Sequence, residues 1–290
     1  MTMKRAGIIH GVLLLFLSFG THFLIFAQND DIWYTSLSEA KKEANQSDKL
    51  IFVEFGTEYS FGNVVLAADV WEDEKVIEKL KLFVPVYLDQ QIDRVPAYKY
   101  KIYRVPTLLV LEANGDLLLR LDQRLGKAPM MELLDIIHNR FQKIRHLVKT
   151  YEDQNSHLAN YLFGEAYQEI AMHCSSSIKS VFIKSSKAYL KKVPLYEVKS
   201  DTNLAHKLRI RKMINTILSP GATLVNPKKL VKFAKSDKYN EENKSLALFG
   251  AILGFHVYHK RREMAECIDQ LRTLKNGNVY LEQLKILSIL

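Results

Sequence analysis

The sequence predicts two successive folded domains, an α/β sandwich with a mixed central sheet over residues 30–149 and an all-α domain over residues 150–290. Three observations carry the prediction. Strand-like and helix-like runs alternate through the first half and finish on an Asn114-Gly115 turn. The second half has almost no strand signal and repeated helix stops such as Ser219-Pro220-Gly221. At 290 residues and 48% hydrophobic, the chain can bury two modest cores.

Ser36 and Glu39 have the spacing of a capping box, and Leu37, Ala40 and Ala44 lie along one face of the helix it opens, which runs to about Gln46. Leu50-Ile51-Phe52-Val53-Glu54-Phe55 is a short, mostly apolar run of strand formers, the pattern of a central strand covered on both faces. One helix is expected from about Ser60 and another from Asp73 to Leu80, with Val76, Ile77 and Leu80 inward. A strand follows from Phe83 to Leu88 and Asp89 ends it. A helical stretch from Val95 to Tyr100 leads to Val105-Pro106-Thr107 and a strand from Leu108 to Leu111. Asn114-Gly115 signals a two-residue hairpin, Leu117 to Leu121 is the antiparallel return, and the last helix starts near Pro129, proline being favoured at a first helical position.

Trp33 with Ala40 and Ala44, the strand Phe52-Val53-Glu54-Phe55, the segment Phe83 to Asp89, Tyr103-Arg104-Val105-Pro106-Thr107 and Asn114-Gly115 stand in a familiar order. On these residues the first domain resembles the thioredoxin superfamily, and within it the carboxy-terminal domain type of the membrane thiol:disulfide interchange proteins. In that family the central strand runs into a Trp-Cys-x-x-Cys turn, where a helix N-terminus stabilises a reactive thiolate. Here the stretch reads Glu58-Tyr59-Ser60-Phe61-Gly62-Asn63, which puts Ser60 at the attacking cysteine's place and Asn63 at the resolving one.

A serine hydroxyl cannot form or exchange a disulfide, so the expectation is a domain with no catalytic residue that is not an autonomous disulfide oxidoreductase. Hydrolysis by Ser60 would need a base and an orienting group. The domain's histidines, His138 and His146, fall in or just after its last helix. Ser60 is therefore read as an N-cap whose side chain bonds the first turn. Glu54 stands where the family carries an acid that manages the resolving thiol's proton, and is read as a buried or half-buried carboxyl satisfied by a polar neighbour or water. The family's equivalent of Pro106 is cis and faces the dithiol turn, and the residue before it pairs with an extended substrate peptide. The resemblance thus implies a peptide-binding surface of Tyr59, Ser60, Phe61, Asn63, Val105, Pro106 and Thr107, with Tyr59 and Phe61 in an exposed apolar patch. The other reading is that Pro106 only shapes the start of its strand.

In the second half, Leu204, Leu208, Met213, Ile214, Ile217 and Leu218 form one apolar helix face, and Asn226-Pro227 starts another helix. Leu246 to Tyr258 is apolar nearly all round, which makes that helix the centre of its domain, and Gly250 and Gly254 permit close helix contact. Leu162-Phe163-Gly164 and Leu248-Phe249-Gly250 each sit in the first helix of a hairpin, an arrangement that resembles tetratricopeptide-type repeats, although the fuller repeat pattern is absent. Such stacks bind proteins on a concave face. A bundle that only supports the first domain is the alternative. His256 and His259, Cys267 and His173-Cys174 are metal-ligating types, but ligation needs convergence, and the expectation is no metal and no other cofactor. Cys174 and Cys267, the only cysteines, read as buried free thiols, with one disulfide between them as the alternative in an oxidising compartment.

Lys4 and Arg5, the apolar runs Val12 to Phe19 and Phe23 to Phe26, and Ala27 before a polar stretch read as a signal peptide over residues 1–27, with an uncleaved membrane anchor as the alternative. Either way the remainder is expected outside the cytoplasm, in the periplasm or cell envelope of a Gram-negative bacterium. The formal charge of +9 resides in the second half, where residues 151–290 carry 22 Lys and Arg against 13 Asp and Glu, while residues 1–150 carry 19 of each. With no zinc spacing and no RNP-like strand, nucleic acid is not the expected partner. The function implied is a protein-binding, scaffolding or chaperone-like module with a protein or peptide partner in the envelope. The alternative is an accessory thiol-disulfide oxidoreductase or isomerase component that works with a partner's cysteines.

Overall fold

A run of strand formers covered on both faces becomes the middle of a sheet. In the computed structural model, which describes residues 32–57, 60–151, 156–194, 201–221 and 226–290, β1 (Ile51–Gly56) is buried along its whole length. The leader, Glu58 and Tyr59 lie outside the described residues. On one side β1 pairs in parallel with β2 (Val84–Asp89), and on the other it pairs antiparallel with β3 (Thr107–Leu111), which pairs antiparallel with β4 (Leu117–Leu121). The strand order is β2-β1-β3-β4, and Tyr34 bridges to Val86 on the outer edge of β2.

Alternation along β1 divides the core between the two faces of the sheet. Ile51, Val53 and Phe55 join Ala40 and Ala44 of α1 (Leu37–Ser47) and Ala97 of the helix that follows β2 in one cluster. Phe52 packs edge-on against Trp71 and Phe83 on the other face. The Ser36 hydroxyl accepts from the Glu39 amide, as the capping-box spacing requires. Two elements follow β1 on that second face: α2 (Phe61–Leu66), which widens into a π-helical turn over Ala67–Trp71, and α3 (Glu74–Leu80), capped by the Asp73 carboxylate. The helix between β2 and β3 is α4 (Arg94–Lys99).

The β3–β4 connection differs from the two-residue hairpin expected. Glu112 N–H donates to the Asp116 carbonyl and Gly115 N–H to the Glu112 carbonyl, so three residues close the loop, with Gly115 at φ 91°. Only glycine adopts that angle without strain, and the arrangement is the usual three-residue hairpin. The Asn114 side chain caps the loop by accepting from the Asp116 amide rather than taking a positive φ itself.

The chain divides into two compact units at Lys127/Ala128. That boundary falls one residue into α5 (Lys127–Arg140), the helix expected to close the first domain; Pro129 is its third residue rather than its first. The second unit continues with α6 (Gln142–Thr150), α7 (His157–Met172), α8 (Ser176–Lys191), α9 (Thr202–Leu218), α10 (Lys228–Ala234), α11 (Glu241–Val257), α12 (Arg261–Arg272) and α13 (Gly277–Ile286). Its centre is α11, buried on all sides from Asn243 to Phe255 apart from Lys244. Added methyl groups at Gly250 and Gly254 would fall 2.7 Å from Ile214 and 2.6 Å from Pro227, so only hydrogen at those positions lets α9 and the start of α10 come this close. Gly164, by contrast, abuts Leu190 of the helix that follows it. The two Leu-Phe-Gly segments therefore contact different neighbours, one the following helix and the other preceding ones. Among the described residues no helix is long and apolar enough to cross a membrane.

A set of buried polar side chains also joins α7, α8 and α9. Arg211 bonds Glu165 and, at 3.0 Å, Gln168 Oε1. Gln168 Nε2 donates to Asn215 Oδ1 at 2.9 Å, and Asn215 Nδ2 donates to the Ser186 hydroxyl at 2.7 Å.

Candidate functional site

Because β2 runs parallel to β1 and β3 antiparallel, the chain after Gly56, the chain after Asp89 and the chain before Thr107 emerge at one end of the sheet. Gln90 joins all three: its N–H donates to the Gly56 carbonyl at 2.9 Å and its side-chain amide to the Ile102 carbonyl at 2.8 Å. The Val105–Pro106 peptide is cis. The Pro106 ring lies directly over α2, since a methyl group on Gly62 would sit 2.7 Å from Pro106 Cδ. The turn at Ser60 and the Val-Pro loop are thus in contact, and Gly62 is the residue that lets them meet.

Beneath this contact Glu54 is 3% exposed. Asn63 Nδ2 donates to its Oε1 and Trp71 Nε1 to its Oε2, each at 2.6 Å. Eight residues along a regular α-helix would set Asn63 and Trp71 about 80° apart around the axis. The wider π turn at Ala67–Trp71 removes most of that offset and brings both donors to one carboxylate. Space for the Asn63 amide comes from Gly56, where a methyl group would fall 2.4 Å from Asn63 Nδ2. Burial without a counter-charge raises the Glu54 carboxyl from 4.5 to about 7, and the Asn63 and Trp71 hydrogen bonds restrain the rise.

Of the seven residues assembled from the sequence, Phe61 lies on the surface at 81% exposed. Ser60 occupies the N-cap position, but its side chain makes no capping bond; its carbonyl receives the Asn63 and Val64 amides instead. Val105 and Pro106 are half-buried. Two members of the set belong underneath rather than on the surface. Asn63 turns inward to Glu54, and Thr107 is fully buried, its hydroxyl donating to the Arg104 carbonyl to close the loop. Tyr59 lies outside the described residues. The sequence reading missed Tyr103, 82% exposed in the loop that leads to Pro106, and Ile92, 81% exposed just after the Gln90 turn. Together with Phe61 they put an exposed apolar side chain on or just beyond each of the three segments that meet at this end of the sheet. A large apolar residue beside the Val-Pro loop was the available signal for Tyr103. None existed for Ile92, whose place depends on the hydrogen bonds of Gln90.

Cys174 and Cys267 are free and buried in the second unit. Burial pushes their thiols up to about 12 and about 11, with Glu132 adding to the first and Glu266 to the second. Such thiols are protonated and unreactive at neutral pH. Among the described residues no group of three or more His, Cys, Asp or Glu side chains is placed to hold a metal ion.

A mixed four-stranded sheet with a cis-proline loop packed on the first turn of the helix after its central strand defines a thioredoxin-like domain. Residues 32–113 match a family described as thioredoxin-like, and the first unit is a domain of that class. Among solved structures, one titled DsbH Oxidoreductase is similar at 17% sequence identity and a TM-score of 0.30, over 33% of this chain and 76% of its own. A search of curated proteins finds no match.

Proposed function

We propose that this chain is exported to the periplasm or envelope of a Gram-negative bacterium. There its thioredoxin-like domain serves as a protein-binding, scaffolding or chaperone-like module, not as a disulfide oxidoreductase. The observation that carries the reading is the hydrogen bond from Asn63 to Glu54. At the position where a resolving thiol would exchange its proton with a buried acid, this chain has an amide that holds no transferable proton at neutral pH. Ser60, at the attacking position, supplies no thiolate. Phe61, Ile92 and Tyr103, exposed on the segments that meet at this end of the sheet, support a binding role, because exposed apolar surface often marks interaction sites. Arg94 at the start of α4, and Lys101 and Arg104 in the loop that leads to Pro106, are exposed and favour a partner with acidic groups beside apolar ones. The alternative accessory redox role would need the partner's thiols, since Cys174 and Cys267 are buried with raised pKa values.

A disulfide-reduction assay on an unstructured disulfide substrate tests the reading. Wild type should not exceed a Ser60→Ala control, while Ser60→Cys/Asn63→Cys, which restores the dithiol beneath Pro106, should exceed both. Activity of the wild type above the control would overturn the proposal. Crosslinking from the native envelope then separates the surfaces: partners lost in Phe61→Ser/Tyr103→Ser place recognition on this rim, and partners that persist place it on the helical unit.

A further inference from the structure

The helical unit contains a cleft, half open to solvent, of about 350 Å³ lined by α5, α6, α7 and α13, a volume in the range of small-ligand sites. Its lining mixes two chemistries. Ala166, Ile170, Met172 and Leu287 are apolar, while Arg140, Lys143, Glu169 and His173 are charged or titratable. Lys143 is already paired, to Glu169 at 2.8 Å, with Glu165 at 3.9 Å. Arg140 and the His173 ring have no hydrogen bond or ion pair to any described residue, and Arg140 is exposed. Among the described residues, the cleft therefore holds one guanidinium with no ion pair, close enough to the His173 imidazole to act on its charge, in a lining that also includes apolar side chains.

We propose that this pocket binds a carboxylate carried on a short apolar chain, with the carboxylate between Arg140 and His173 and the chain against Ile170, Met172 and Leu287. One monoanion balances the unpaired guanidinium, and Arg presents paired donors that suit a carboxylate. An inorganic anion would satisfy the charge but leave the apolar wall wet, so the lining selects an amphiphile. Two sources have this chemistry: the C-terminal residues of an extended polypeptide, and a free medium-chain fatty acid. The inference is independent of the reading of the thioredoxin-like domain.

The His173 ring supplies a readout specific to the site. Burial, and then the Arg140 charge, hold its pKa below the ordinary value. Around it α5 contributes Arg140, α6 contributes Lys143 and α7 contributes Glu169, while α13 contributes only uncharged side chains to the pocket, among them Gln283. A carboxylate bound between His173 and Arg140 favours the charged imidazole, so binding should raise the His173 pKa, and affinity should weaken as pH rises through it.

The experiment is a titration of the full chain, histidine-labelled for NMR, with octanoate, with an N-acetylated Ala-Leu-Leu free acid, with the same peptide as its C-terminal amide, and with inorganic phosphate. Saturable binding of either carboxylate, at least tenfold tighter than the amide or phosphate and accompanied by an upward shift of the His173 titration, supports the site. Preference for octanoate assigns the free acid as the source and preference for the peptide acid assigns a polypeptide terminus. Arg140→Gln should cost at least tenfold, while Arg262→Gln, on α12 outside the pocket, should not. Arg140 is exposed and unpaired, so its replacement leaves the fold intact. No saturable binding, equal binding of the amide or phosphate, or an unchanged affinity in Arg140→Gln would each overturn the proposal.

Discussion

Each unit withdraws a glutamate from water, Glu54 buried at 3% exposure and Glu165 half-buried with 18% of its side chain exposed, and they meet the cost in opposite ways. In the thioredoxin-like domain, Glu54 has two neutral donors, Asn63 and Trp71, and no counter-charge, and its pKa rises to about 7. In the helical unit, burial pushes Glu165 upward too, but Arg211 and Lys143 more than offset it and hold the carboxyl below the usual range. The same guanidinium is itself raised by Glu165 against the penalty of its own burial. A buried carboxylate thus keeps its charge where a cation shares the desolvated space, and gives it up readily where only dipoles do. The difference separates a site shaped by a family position from a structural junction between helices. It also gives the two units opposite responses to pH.

The largest effect should come from breaking the charged side of the comparison. Arg211→Ala leaves the half-buried Glu165 without its main partner and the buried Gln168 Oε1 without a donor, and should destabilise the helical unit by about 3 kcal/mol in denaturant unfolding followed by circular dichroism at 222 nm. Replacing both charges, as Glu165→Gln/Arg211→Met, should recover much of the loss, because the neutral pair no longer requires solvation. A double variant as unstable as the single one would mean that Arg211 acts through packing and not through charge.

Next in size is the pH response of Glu54. Its folded pKa lies above its unfolded value, so the folded state binds more protons between them. Its contribution to stability is therefore greatest below about pH 4.5 and is lost as pH rises through about 7. The interval corresponds to about 3 kcal/mol. Both tryptophans, Trp33 and Trp71, belong to the first unit and touch each other, so their fluorescence follows this unit alone. Unfolding midpoints read by tryptophan should fall between pH 5 and pH 8 in wild type and stay nearly level in Glu54→Gln. Glu165 has the opposite sign, its contribution being present at neutral pH and lost as pH falls below the usual carboxylate range.

These two clusters were legible to different degrees. The run Leu50 to Phe55 marked β1 as the central strand, and Glu54 within it as a buried acid needing a partner. The order of motifs placed Pro106 opposite Ser60. That Asn63 is the partner was not legible, because the resemblance put it on a surface and only the backbone path of α2 turns it inward. Trp71 was less accessible still: its approach to Glu54 depends on a π turn, which has no periodicity to read. In α9 the apolar residues Leu208, Ile214 and Ile217 were found by their spacing, yet Arg211 and Asn215 on the same buried face were passed over, because a 3.6-residue pattern assigns polar residues to solvent. Buried polar networks and pockets built from several helices are properties of tertiary convergence, and single-helix patterns do not encode them.

A smaller effect sharpens the neutral side of the comparison. Asn63→Ala removes one of Glu54's two donors and, with it, a hydrogen bond that favours the charged form. The loss should be about 2 kcal/mol at pH 8, where the carboxylate must go unsatisfied, and smaller at pH 5, where the acid is protonated. Equal losses at the two pH values would show that Asn63 matters for the shape of the turn and not for Glu54.

The smallest effect belongs to the same pair of residue types placed in water. Arg262 and Glu266 lie one turn apart on α12 at 3.1 Å, with side chains 89% and 58% exposed. Their attraction is screened by solvent and salt, and the order of Arg before Glu is the less favourable one relative to the helix dipole. Arg262→Ala should change unfolding free energy by less than about 0.5 kcal/mol, and that difference should vanish in 1 M salt, where the screening length is about 3 Å. Arg211→Ala, measured in the same salt, should keep most of its effect, because salt does not reach a guanidinium that is 4% exposed. If the two variants responded alike to salt, the contrast between buried and exposed ion pairs would fail, and Arg211 would have to be treated as a solvated residue.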